Sequence, residues 1–423
     1  MAIAAAPQPA RIQADVTTLV NFGTRHTLSD TTSATRGIGA ARRWIEAEFR
    51  RISAACGGCL EVYTQRTLVD SAGNRRIDVP TVVVNVYAVL RGTKRPNDYA
   101  VMSGDIDSRV SDPMNRTADS PGANDNASGM AGVLEAARVL SEYRFDGSIL
   151  LAGLSGEEQG LFGGRAMAKL AKEEGWNIVG VLNNDMIGNI TGVDGVTDSR
   201  AFRIFSEPNF PEPDERLQTW RRFYGGEVDG PSRQLARYVH RVTRDYVYDL
   251  NPMMIYRLDR FGRGGHHRPF NDEGFAGVRI MEAHENYDQQ HQDIRTEDGR
   301  AYGDVLEHVD FDYAARLTAV NATVLAGLSM APPAPEMVEI GGTVEPAARL
   351  KWTASPGAIG YKVYYRLTTE PQWERYLWVD GGDVTGHVAE GLVVDNYYFG
   401  VAAVGEGGVE SVVTFPSVVM VSR

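Results

Sequence analysis

Apolar and polar positions along the chain divide it into segments of different period. Residues 12–55 read as helical, with Ala41, Ile45 and Phe49 interleaved with Arg42, Arg43 and Arg51 at helical spacing. The period then shortens. VPTVVVNVYAVLRG (79–92) is rich in β-branched residues and predicts a strand, and YAVMSGDIDSR (99–109) predicts a second that runs into a polar loop. GMAGVLEAARVLSEY (129–143) predicts an amphipathic helix, SILLAGLSGEE (148–158) a buried strand ending in acids, LFGGRAMAKLAKEEG (161–175) a helix stopped by Gly175, and NIVGVLNNDMIG (177–188) another buried strand ending in Asp185. Such alternation predicts an α/β fold, with a mixed, largely parallel sheet flanked by helices. The acids then fall at the carboxyl ends of strands, where open α/β sheets place their ligands.

Residues 189–230 carry Gly, Pro, Asp and Glu without a clear period and are expected to form an insertion or lid. Helical pattern returns at 231–248 and in the closing segment 313–330, so a catalytic unit is expected over 1–330. APPAP (331–335) reads as a linker, since successive prolines favour extended backbone. From 336 to 423 short alternating strands are split by Gly-rich turns, the pattern of a small all-β sandwich. The placement of Trp352, Tyr361 and Tyr398 resembles a fibronectin type III domain, a module that can bind a polymer, a surface or the catalytic unit.

A net charge of −12 disfavours nucleic acid and anionic membranes as partners. No apolar run reaches the roughly 20 residues a membrane helix needs. The N-terminus, MAIAAAPQPARIQ, lacks the layout of an intact signal peptide. A secreted or periplasmic protein whose signal has been removed is expected, with a cytoplasmic one as the alternative. The two cysteines, Cys56 and Cys59 in CGGC, are expected as a local disulfide or two free thiols, because no further zinc ligands lie nearby.

Four acidic clusters carry the candidate chemistry: GDIDSR (104–109), PGANDNASG (121–129), SGEEQGLFGG (155–164) and NNDMIG (183–188). Any one of them can be a solvent-facing strand end. Four together imply convergence, and converging carboxylates need protons or cations among them. PGANDNASG, GEEQGLFGG, NNDMIG and a late histidine in YDQQHQD resemble the dinuclear zinc aminopeptidase family, which includes bacterial leucyl-type aminopeptidases and the glutamate carboxypeptidase II group. The resemblance spans roughly residues 15–330. It implies a metal-dependent exopeptidase acting on peptides, with two divalent ions, zinc foremost. It makes Asp125 the bridging carboxylate, followed by a cis peptide to Asn126. Glu157 becomes the general base, Glu158 and His291 the other ligands of one ion, and Asp185 a ligand of the second.

The chain also departs from that family. Where the family has His-x-Asp, this sequence has Asp105-Ile106-Asp107. Asp105 is then expected as a metal ligand, giving the second ion an all-oxygen set of Asp105, Asp125 and Asp185 that also tolerates Mn, Mg, Ca or Co. Asp107 fits an acid that orients a ligand. At GRGGHHRPF (262–270) the family has Asp-His, and here it is His266-His267. His267 matches a histidine beside the reaction centre and is expected to support substrate or oxyanion. His266 stands where an acid is expected. One His has become Asp and one Asp has become His, an exchange that compensates if the two positions meet. Carboxypeptidase or dipeptidase action is the alternative within the fold, with Arg260, Arg263 and Arg268 as a basic pocket. A metal-poor binding protein on a peptidase scaffold is the non-enzyme alternative.

Overall fold

A computed structural model describes residues 2–208, 215–225 and 229–420. The helices are α1 (Pro9–Val20), α2 (Gly37–Ala55), α3 (Gly129–Leu140), α4 (Glu157–Gly160), α5 (Phe162–Glu173), α6 (Glu215–Tyr224), α7 (Pro231–Tyr246), α8 (His267–Asp272) and α9 (Phe311–Met330). Eight strands form one sheet: β1 (Leu60–Val69), β2 (Thr81–Leu90), β3 (Arg95–Asp105), β4 (Gly147–Leu154), β5 (Asn177–Asn184), β6 (Ala201–Ser206), β7 (Asn251–Ile255) and β8 (Gly277–Glu282). Their order is β1-β2-β4-β3-β5-β8-β6-β7. The central run β4-β3-β5-β8 is parallel, and antiparallel pairs flank it on both sides. The expected mixed sheet flanked by helices is therefore present.

Alternation along the central strands explains the layering. Ala100 and Met102 of β3 and Ile149 and Leu151 of β4 join the core shared with α1, α2, α3 and α9. Tyr99, Val101, Leu150 and Ala152 point the other way, against Met167 and Ala168 of α5 and Phe270 of α8. Strands covered on both faces read as continuous apolar runs, which is why β4 is buried throughout.

Two expectations need correction. Residues 12–55 are not one helical stretch but α1 and α2 with a break at 21–36. Gly23 (φ 71°) starts the break, and Asp30 Oδ1 accepts from the amides of Thr32 (2.6 Å) and Ser33 (3.0 Å) to form a turn that competes with helix. Within the segment 189–230, expected as an insertion or lid, residues 201–206 are strand β6, paired with β8 and β7 inside the main sheet. Residues 209–214 and 226–228 of that segment lie outside the described residues.

A hairpin of β9 (Arg295–Glu297) and β10 (Arg300–Tyr302) precedes α9. Beyond it, β11 (Val338–Gly341), β12 (Ala347–Trp352), β13 (Gly360–Leu367), β14 (Arg375–Asp380), β15 (Gly386–Glu390), β16 (Tyr397–Val404) and β17 (Val418–Val419) form a four-stranded and a three-stranded sheet. The two sheets share one core containing Leu350, Trp352, Tyr361, Val363 and Phe399. These strands rest on α7 through polar contacts. Asp229 Oδ1 lies 2.8 Å from both Arg237 and Arg366, and Trp373 donates to Gln234 at 2.7 Å. Cys56 and Cys59 form a disulfide. Among the described residues, no helix is long and apolar enough to cross a membrane.

Candidate active site

The carboxyl ends of β3, β4 and β5 deliver the acids to one place. Gly156 (φ 75°) lets the chain leave β4 and turn straight into α4, which starts with Glu157 and Glu158. Asp107 fixes that turn: its two oxygens accept from the amides of Glu157 (3.2 Å) and Glu158 (3.1 Å), and Thr27 donates to it at 2.9 Å. Asp107 thus anchors the Glu pair, and position 105, two residues before it, is an aspartate and not a histidine for it to orient. Asp125 precedes α3, and its bond to Asn126 is cis, as the resemblance implies. Asn126 donates to Asp105 Oδ2 (2.7 Å) and to the carbonyl of Asn184 (2.8 Å). Gly129 makes this approach feasible, since a Cβ there would sit 2.3 Å from the Asn184 carbonyl oxygen.

Asp125, Glu158 and His291 converge. Their ligand atoms lie within 4.8 Å of one another, the one such group of three among the described residues. His291 Nε2 is 2.9 Å from Asp125 Oδ2 and 3.0 Å from Glu158 Oε1. Burial alone lowers the imidazole and the Glu158 and Asp125 carboxylates raise it, while Arg109 Nη2 donates to Nδ1 at 2.6 Å, which leaves the ring proton on Nε2 between the two carboxylates. The proton shared at Nε2 stands where a cation fits, so ion binding here releases it. Around the trio, Gln290 donates to Asp125 Oδ2 (3.1 Å), and Arg109 pairs with Glu158 Oε2 (2.8 Å).

Glu157 opens into a pocket of about 340 Å³ and makes no side-chain hydrogen bond with another described residue. Burial pushes its carboxyl well up, and the charges of Glu158, Asp185, Asp105 and Asp125 push it further. That is the environment of a group suited to accepting a proton.

Asp105 and Asp185 are arranged differently. Asp185 Oδ2 pairs with Arg279 Nη2 at 2.9 Å, and Arg279 Nη1 reaches Asp259 at 3.2 Å. Arg279 rises from β8 and is fully buried. Asp105 Oδ1 lies 3.5 Å from His266 Nε2. The two exchanged positions therefore meet. His266 Nδ1 accepts from the Gly164 amide (3.2 Å), and burial, then the His267 and Arg279 charges, lower the ring to about 3. The neutral ring thus carries its proton on Nε2, facing Asp105. The buried polar atoms here without a hydrogen-bond partner are of both kinds: the acceptors Asp105 Oδ1 and Asp185 Oδ1, and the donors Arg279 Nε and His266 Nε2. A cation satisfies the first pair and is repelled by the second. The second ion expected among Asp105, Asp125 and Asp185 therefore does not fit the residues present.

His267 does not face the reaction centre. It is buried, its Nε2 donates to the Leu258 carbonyl (2.8 Å), and it is absent from the pocket lining. Residues that the sequence reading missed hold the site together. Asp304 accepts from the amides of Asn124 (2.8 Å) and Asp125 (2.7 Å), and Glu282 accepts from the Asn124 side chain at 2.9 Å.

Residues 85–309 match the model of "Peptidase family M28". A relative from Leptosphaeria maculans, described as a probable zinc metalloprotease, is 44% identical over 408 residues, covering 96% of this chain and 94% of that protein. Among solved structures, LapB of Legionella pneumophila aligns with a TM-score of 0.54 at 16% identity, over 78% of this chain and 74% of that one. An aminopeptidase from Aneurinibacillus sp. strain AM-1 aligns with a TM-score of 0.52 at 14% identity, over 78% and 95%. At those identities the structures speak for a shared fold. The chain belongs to peptidase family M28.

Proposed function

We propose that this chain is a zinc-dependent exopeptidase, acting as an aminopeptidase that releases N-terminal residues from peptides. The observation that carries the reading is the convergence of Asp125, Glu158 and His291 beside the pocket into which Glu157 opens. Two carboxylates and an imidazole make a zinc donor set that leaves a position for water. Zinc bound there supplies Lewis acidity and lowers the pKa of its water towards about 7. Glu157 takes a proton from the attacking water and returns it to the leaving amine. Asp107 holds Glu157 in place through the α4 amides. Asp185 and Glu157 both line the pocket.

In place of a second ion, the buried Arg279 guanidinium balances Asp185, and His266 with Asn126 holds Asp105. Dipeptidase action on the same site is a second reading, favoured by the arginines of the pocket wall.

The division of the chain at 331–335 into a catalytic unit and a C-terminal β-module is part of the proposal, supported by the separate shared core of strands β11–β16. Its role is to brace α7, as the Asp229–Arg366 contact suggests. The Cys56–Cys59 disulfide supports a secreted or periplasmic location.

Hydrolysis of a panel of aminoacyl-nitroanilides by the zinc-loaded chain tests the reading. Release from at least one is expected; release from none with Zn²⁺, Mn²⁺ or Co²⁺ removes it.

A further inference from the structure

Helix α2 does not close fully on the edge strand β1 and its neighbour β2. Between them lies a cavity of about 460 Å³ that shares no lining residue with the pocket holding Glu157. It gathers three arginines: Arg42 and Arg43 of α2 and Arg66 of β1. Arg42 is 7% exposed, and its Nη2 is buried without a hydrogen-bond partner. Its Nε donates to Ser155 Oγ at 3.4 Å, a long bond to a neutral group. Burial pushes its pKa down to about 10 against the pull of Asp107, and the Arg66 charge adds to the fall. Arg43 donates to the carbonyls of Thr31 (2.8 Å) and Ser33, which leaves its charge uncompensated. Arg66 is exposed and has no ion pair among the described residues. The one carboxylate of the lining, Glu46, accepts from Arg50 at 2.7 Å. Val79 and Val82 complete the part of the lining that matters here, 47% and 43% exposed.

A buried cation without a carboxylate is costly, and an N–H of that cation left unpaired adds the loss of its water. An anion in the cavity supplies the partner Arg42 lacks, and the Arg43 and Arg66 charges favour its entry. The planar fork of a guanidinium suits a carboxylate, which it can pair through two N–H bonds. Exposed valines beside these charges suit a ligand with an apolar body. Sites for small molecules, of roughly 300–1,000 Å³, combine apolar walls with a few placed polar groups in this way. We propose that the cavity is a binding site for a small aliphatic carboxylate, with its head on Arg42 and Arg66 and its tail along Val79 and Val82. Binding here requires neither zinc nor Glu157.

Calorimetric titration of the full chain with hexanoate, acetate and hexylamine tests the site. Hexanoate is expected to saturate one site per chain, with acetate about tenfold weaker, the difference made by burying about two further CH₂ groups. Hexylamine, of like shape and opposite charge, should not bind. Arg66→Gln changes an exposed residue and should weaken hexanoate about tenfold, the size of one charge-assisted hydrogen bond. Arg42→Gln should weaken it further; if loss of that buried residue unfolds the chain, Arg66→Gln decides alone. Four results overturn the proposal: no saturable hexanoate binding, hexylamine or acetate binding as tightly as hexanoate, or hexanoate binding that Arg66→Gln leaves unchanged.

Discussion

Arg279 and Asp185 form an ion pair closed to solvent, with Nη2 and Oδ2 2.9 Å apart and the two side chains 0% and 4% exposed. A buried guanidinium already paired with the carboxylate leaves little reason for a divalent ion beside it. We therefore expect one zinc per chain after reconstitution and dialysis, measured by elemental analysis. Two tightly held zinc ions per chain would contradict the role given to Arg279. Arg279→Met removes the positive charge, and an added second equivalent of zinc in that variant would support the same account.

Asp304 lies far from Asp125 in sequence yet holds the Asn124 and Asp125 amides with its two oxygens. Asp304→Ala leaves two buried N–H groups unpaired, at a cost of about 1–3 kcal/mol each. Denaturant unfolding should show a loss of that order, and zinc affinity should fall with it. An unchanged midpoint and affinity would mean that the loop carrying Asp125 is held by other contacts.

His240 on α7 provides a pH test away from the metal centre. Burial, and then Arg244, lower its pKa to about 4, below the ordinary 6.5. The unfolded chain takes up the proton first. The contribution of His240 is therefore fully present above pH 6.5 and is lost as pH falls towards 4. The wild type should lose stability over that window more steeply than His240→Gln, as read from urea midpoints at each pH. Parallel curves would contradict the assignment.

Asp229 joins α7 to the C-terminal strands through Arg237 and Arg366, with Arg366 and Asp229 side chains 3% and 1% exposed. Removing one member of a buried ion pair costs about 3–5 kcal/mol. Asp229→Ala should destabilise the chain by that order in calorimetry. A change near zero would show that the C-terminal strands dock through their apolar contacts alone.

The central strands and the acids at their ends were legible, because a buried parallel strand is a continuous apolar run and its loop begins with the first polar residue. Glu157, Glu158, Asp125 and His291 come together as the motifs imply. Arg279 had a visible mark, a basic residue in the middle of the strand GVRIME, but its partner cannot be read from spacing. The meeting of Asp105 and His266 was raised by the double exchange and needed the fold to be seen. His267 went astray because a motif position does not say which way a ring faces; the Leu258 carbonyl captures its Nε2. Asp304 comes from an irregular loop 179 residues from Asp125, where no periodic pattern points to it. β6 escaped notice because six residues between Gly- and Pro-rich loops give too short a run to establish a period.

In the proposed reaction Glu157 carries the proton beside a single zinc ion. Hydrolysis of the preferred peptide by zinc-loaded wild type and Glu157→Gln, with zinc content measured on the same samples, tests it. The prediction is equal zinc in both and a fall in kcat of roughly 10²–10⁴-fold in the variant. Equal zinc with undiminished kcat would contradict it.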